Sequence, residues 1–232
     1  MTMPHEPAVL LVHGAWHGAW CWEELRPELR MLGVDTLVMD LPSTGNAEQG
    51  LYADARALRV TVDALDRPVV VLAHGYGGIV VSEGLAGAAN VVHLVYAASP
   101  LLAEGEKRCA VPLGDGRLVM PPEDAAQVLY GDLAPDEVVR AVSRLRPHSH
   151  RAFTEVPTRA AWRDIPSTLV LGGSDRSMPD ELVRRSTARA TAVRTVPGGA
   201  ALFYSAPVEL AELVHDVVRE AEAREGCVAG LA

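Results

Sequence analysis

Aromatic side chains are scarce in this chain: two Phe, four Trp and five Tyr make up 5% of 232 residues. A core with so few rings has to be aliphatic, and the 49% hydrophobic content is enough to fill one large domain. Cysteine is also sparse. Cys21, Cys109 and Cys227 are odd in number and far apart, which excludes a disulfide framework or a cysteine metal site and suits a reducing cytoplasm. Positive charge is in deficit, 21 Lys and Arg against 30 Asp and Glu, for a formal net charge of −9. That balance argues against nucleic acid or an anionic membrane surface as partner. The amino-terminal MTMPHEPAVLLVHG has no basic start followed by a long apolar run, so neither a signal peptide nor a membrane span is expected.

What is present is an alternation. Val9–Val12, Thr36–Met39, Val69–Leu72, Val91–Tyr96, Thr168–Leu171 and Ala192–Val196 read as continuously apolar strands, the mark of a parallel sheet covered on both faces. Residues 20–32, 51–65, 77–89, 179–189 and 207–224 read as the intervening helices, and EGCVAGLA as a frayed tail. The fold class predicted is α/β, a mostly parallel doubly wound sheet of about six strands with a helical cap insertion. Residues 1–100 and 163–232 form the core of that reading. Residues 101–162 break the rhythm: GDGRLVMPPED suggests a turn and a short strand, PEDAAQVLY and APDEVVRAVSRL two short helices. The insertion is expected to cap the carboxyl edge of the sheet, where open α/β sheets bind ligands.

Residues 69–81, VVVLAHGYGGIVV, run from an apolar strand through a glycine-rich turn into a helix. This is the setting of the G-x-S-x-G nucleophile elbow, with Gly75 at the nucleophile's place. A glycine has no hydroxyl, so no acyl-enzyme can form there.

The stretch from His13 to Trp22, HGAWHGAWCW, closely resembles the first loop of the plant methylesterase and hydroxynitrile lyase family and its bacterial esterase relatives. So do Met39–Gly45, the TRAAWRDIPST run from Thr158, and LGGSDRSMP, which puts Asp175 where the family has its acid. PGGAALFYSAP matches the family's histidine segment with Ser205 and Pro207 in register, which puts Ala200 where the catalytic histidine belongs. The resemblance implies an α/β-hydrolase fold, no cofactor and no metal. It also implies two oxyanion-hole N–H groups, one from Ala15 or Trp16 and one from Tyr76. With nucleophile and base both absent, serine hydrolysis has no route, but backbone donors survive the loss of side chains.

Asp175 and His13 are therefore the expected proton-handling residues, and Ala15, Trp16, Tyr76, Gly75, Ala200 and Ser99 the expected oxyanion and substrate contacts. Each has a plainer alternative: Asp175 as a turn residue, His13 as a loop-ordering hydrogen bonder. His74 is expected to point away from the pocket, Trp22 to sit in the core, and His148 and His150 to lie at the surface; Ser43 shows no base within reach. The expected function is a cofactor-free lyase, isomerase or cyclase acting on a carbonyl compound. The composition adds a setting in bacterial polyketide or related natural-product biosynthesis. A ligand-binding pseudohydrolase and a residual hydrolase that activates water directly are the alternatives. The expected partner is a small carbonyl substrate, and a homodimer is admitted.

Overall fold

The computed structural model describes residues 6–108 and 116–229. Cys109 lies outside them. Six strands form one parallel sheet: β1 (Ala8–Val12), β2 (Thr36–Met39), β3 (Val69–His74), β4 (Val91–Ala97), and, after the insertion, β7 (Ser167–Gly172) and β8 (Ala192–Val196). The insertion carries a two-stranded antiparallel pair, β5 (Leu118–Val119) with β6 (His148–Ser149), and three helices, α4 (Ala125–Tyr130), α5 (Pro135–Ser143) and α6 (His150–Thr154). The core helices are α1 (Leu25–Met31), α2 (Leu51–Asp63), α3 (Tyr76–Gly84), α7 (Asp180–Arg189), α8 (Leu202–Ser205) and α9 (Pro207–Ala229).

Every residue of β1 and β3 is buried. Alternation sends Leu10, Val12, Val69, Val71 and Ala73 into one aliphatic layer and Val9, Leu11, Val70 and Leu72 into the other. The first layer packs on Leu58, Val62, Ile79 and Val80; the second on Leu25, Leu29, Leu210 and Val214. This is the double cover a continuously apolar parallel strand requires.

The helix expected over 20–32 is broken. A 3-10 turn at Ala19–Trp22 precedes α1, because Pro27 has no N–H to bond back to the turn before it. The helix expected to reach residue 89 stops at Gly84, and α9 runs past residue 224, where its pattern was expected to fray, to Ala229.

Strand order is β2-β1-β3-β4-β7-β8. The chain moves outward from β1 to β2, then returns to the other side of β1 as β3. The topological switch point thus lies between β1 and β3, and it places a crevice beyond their carboxyl ends. Val12 is level with both Met39 and Ala73, so the loops after β1, β2 and β3 leave the sheet side by side.

Candidate active site

Gly75 forms the corner between β3 and α3, with φ +50° and ψ −117°. That left-handed backbone is free for glycine and strained for any residue with a Cβ. The corner is pinned from both sides: Gly75 N–H donates to Ala97 O at 3.2 Å, and Ser99 Oγ–H donates to Gly75 O at 2.7 Å. A Cβ built on Gly75 would meet only Gly14 Cα, at 3.8 Å. The corner is vacant rather than crowded.

The loop after β1 faces it. Trp16 has φ +64°, a strained value for a non-glycine residue. The cap holds it there. Trp16 N–H donates to His148 Nδ1 at 3.3 Å, its indole N–H to Val119 O at 3.2 Å, its carbonyl accepts from Arg146 N–H at 2.9 Å, and its ring lies 5.3 Å from Phe153. Of the two expected loop donors, Trp16 is therefore already engaged. Among the described residues Ala15 N–H makes no hydrogen bond. Tyr76 N–H begins α3 and has no acceptor within its helix.

Ala15, Trp16, Gly75, Tyr76 and Ala200 all line one cavity of about 250 Å³. Most of its wall is apolar, with Ile79, Ala98 and Leu182 from the core and Val128 and Leu129 from the cap. His17 and His74 complete it. His17 Nδ1 lies 2.8 Å from Ala15 O and its Nε2 2.6 Å from the Tyr130 hydroxyl, so both nitrogens are committed. His74, expected to point away, lines the cavity: its Nε2 lies 3.1 Å from Ala200 O, while its buried Nδ1, packed against Gly14, has no partner. Burial pulls the His74 pKa down to about 4 against the opposing pull of the Ala200 carbonyl and Asp175, and lowers His17 well below the usual imidazole value. Both rings are neutral at pH 7. With Nε2–H given to Ala200 O, Nδ1 of His74 keeps its lone pair.

The structure brings five of the eight predicted site residues together and leaves three outside. His13 is fully buried, with Nε2 accepting from Leu41 N–H at 3.0 Å and Nδ1 2.9 Å from Gly14 O. It orders the loop and does not line the cavity. Asp175 is half-exposed, and its carboxylate accepts Ser177 N–H at 2.7 Å across a tight turn; it too is absent from the cavity wall. The turn reading stands for it. Ser99 is spent on Gly75 O rather than on substrate.

One constellation went unread in the sequence. Ser43, Asp54 and His148 are completely buried and linked: Ser43 Oγ lies 2.5 Å from Asp54 Oδ2 and 2.9 Å from His148 Nε2. His148 is therefore not at the surface, and Ser43 does have a histidine beside it. The direction of the chain matters. His148 Nδ1 accepts from Trp16 N–H and Thr44 Oγ lies 3.4 Å from it, so Nε2 carries the proton and donates to Ser43, whose hydroxyl donates to Asp54. A nucleophilic serine needs the reverse polarity, donation into the histidine. Asp54 also accepts Ser43 N–H at 2.8 Å and Tyr76 O–H at 2.7 Å. Burial raises its pKa to about 6 against those hydrogen bonds, and burial lowers His148 to about 3. None of the three lines the cavity. The network fastens the cap to the core. Among the described residues no group of three or more His, Cys, Asp or Glu could hold a metal ion, and no helix is long and apolar enough to cross a membrane.

A six-stranded sheet with its switch point beneath a glycine corner, roofed by an insertion between the fourth and fifth strands, defines the α/β-hydrolase class. The sequence profile of the alpha/beta hydrolase family matches residues 9–213, and the chain belongs to that family. It is 23% identical to the alpha/beta hydrolase nvfD of Aspergillus novofumigatus, with 75% of this chain and 80% of the relative covered. It is 28% identical to the carbendazim hydrolyzing esterase of a Nocardioides species over 71% and 74% of the two chains. Its fold superposes on a methylesterase from Arabidopsis with a TM-score of 0.78 at 22% identity, covering 92% of this chain and 99% of that one.

Proposed function

We propose that this chain is a cofactor-free, non-hydrolytic member of its family, a lyase, isomerase or cyclase acting on a small carbonyl compound. The observation that carries this is the vacant corner: Gly75 keeps the φ +50° bend of an elbow, has open space where a side chain would stand, and shares its cavity with Ala200. In this reading Gly75 and Ala200 stand where serine hydrolases have their nucleophile and histidine. The N–H groups of Ala15 and Tyr76 hold the carbonyl oxygen as it gains charge. His74 takes the role first assigned to Asp175 and His13. Its neutral Nδ1 accepts a proton from the carbon beside the carbonyl, and the enolate so formed is held by the two N–H groups. A place in bacterial polyketide or related natural-product biosynthesis is supported by composition alone.

The names of the relatives favour a second reading, hydrolysis by water activated at the same imidazole. Deuterium uptake by propiophenone in D2O, followed by proton NMR, separates the two. The wild-type protein is expected to accelerate exchange at the α-carbon, His74→Phe to return it to the buffer rate, and a fluorophosphonate to leave the protein unlabelled. Exchange at the buffer rate with the wild-type protein, or a labelled serine, would overturn the proposal; ester turnover without labelling would move it to the second reading.

A further inference from the structure

Ala200, Val128 and Leu129 line two cavities at once. The second, of about 290 Å³, lies between α4 and the loops after β7 and β8, and differs from the first in chemistry. Its wall carries Gln127, Asp132, Ser174 and Arg176. Asp132 Oδ2 accepts Gly199 N–H at 2.5 Å, which ties the cap to the β8 loop, and Arg176 donates to Asp175 O at 2.8 Å with the rest of its guanidinium uncommitted to any printed partner. Only a methyl group from the core and two aliphatic side chains from the cap stand between the chambers.

We infer that the two chambers form one elongated binding site, with the second taking a neutral, amide-bearing tail attached to a carbonyl head held in the first. The inference rests on the proposed placement of the carbonyl at Ala15 and Tyr76. Small size at position 200 is what joins the chambers. A bulkier side chain there would fill the passage. The second wall offers donors in Arg176 and Gln127 and acceptors in Asp132 and Gln127, so a group that both accepts and donates matches it. A carboxylate would gain Arg176 but face Asp132, and a hydrocarbon tail would leave these polar groups without partners.

Calorimetric titration with propiophenone, hexanophenone, 6-oxo-6-phenylhexanamide and 6-oxo-6-phenylhexanoate tests this without turnover. The amide is expected to bind roughly tenfold more tightly than hexanophenone, in line with two hydrogen bonds gained. Arg176→Ala, on an exposed loop where folding is not at stake, should erase roughly fivefold of that preference. Ala200→Phe should weaken the amide far more than propiophenone, because only the longer ligand crosses the passage. Equal affinity for amide and hexanophenone, a carboxylate preferred over the amide, or equal losses for long and short ligands in Ala200→Phe would overturn the inference while leaving the carbonyl site standing. Failure of propiophenone to bind at all would overturn both.

Discussion

Two histidine-bearing regions lie within one cap's reach, and they are built on opposite plans. Around Ser43 the chain has a serine, a histidine and an aspartate in mutual contact, yet every hydrogen bond is satisfied, the polarity runs away from the serine, and no member reaches the cavity. Around Gly75 the nucleophile is missing, yet two backbone N–H groups and one imidazole nitrogen are unsatisfied beside open space. An inventory of side chains would put the chemistry in the first region. Access and unsatisfied hydrogen-bonding capacity put it in the second. The first region serves the second: Tyr76 and Trp16, which line the cavity, are the residues that Asp54 and His148 hold.

The sharpest way to break this contrast is Asp54→Ala. Three donors, Ser43 N–H, Ser43 O–H and Tyr76 O–H, lose their acceptor in a buried site. At about 1–3 kcal/mol for each group left unsatisfied, part of it recovered by rearrangement, a loss of about 3–4 kcal/mol in denaturant unfolding is expected. A variant as stable as the wild type would mean that the network is not the fastening described.

Acid should unfold the protein through its histidines. His13, His74 and His93 are lowered to about 4, His148 to about 3 and His17 further, each chiefly by burial. Their unfolded values lie near 6.5, so between pH 6.5 and about 4 the unfolded chain binds more protons, and stability falls as pH drops through that window. Each buried imidazole lowered to about 4 contributes about 3 kcal/mol at full effect. Asp54 acts in the opposite sense, since its value of about 6 lies above the unfolded one and its burial penalty lifts as pH falls below 6. One carboxyl against five imidazoles leaves the sum destabilising. Melting temperature should be level above pH 7 and fall steeply below pH 6; a level profile down to pH 4.5 would contradict the burial of these rings.

Gly75→Ser sharpens the comparison from the other side. The corner has room for the Cβ, so the expected loss is backbone strain alone, about 1–2 kcal/mol. The new hydroxyl should stay unreactive toward a fluorophosphonate, because the nearest cavity imidazole, His74, precedes it on the strand and Ala200 offers no base. Adding Ala200→His tests whether the old geometry persists. Labelling of the single variant would show that His74 can activate a serine.

These outcomes also mark what the sequence could and could not carry. Strand limits were legible because a doubly covered parallel strand is apolar throughout: β2 and β8 match residue for residue, and β1 differs by Ala8 alone. The corner and its facing loop were legible because glycines and turn spacing are local signals. Ala15, Trp16, Gly75, Tyr76 and Ala200 duly meet at one cavity. What failed was long-range. His148 lies 105 residues from Ser43 on a two-residue strand within an irregular insertion, with no periodicity to reveal which way its ring faces. Asp54 sits in the first turn of α2, where an acidic residue is ordinarily explained by the helix dipole rather than by burial. His74 was assigned by strand alternation, which does not say that its ring reaches Ala200 across the sheet edge.

The smallest expected effect belongs to the residue that the resemblance made most prominent. Asp175 lies where the family carries its acid, but here its carboxylate meets a backbone N–H in its own turn and no imidazole. Asparagine retains an acceptor oxygen for Ser177 N–H, so Asp175→Asn should change unfolding free energy by less than about 0.5 kcal/mol. Removing its negative charge withdraws a pull that favours protonation of His74, which pushes that imidazole, already neutral at pH 7, slightly lower still. The rate of α-proton exchange at pH 7 should therefore stay within twofold of wild type, while any acid limb of its pH profile moves to lower pH. A tenfold loss of exchange with intact stability would return the carboxylate to the chemistry, and would make the vacant corner a site run by an acid outside its wall.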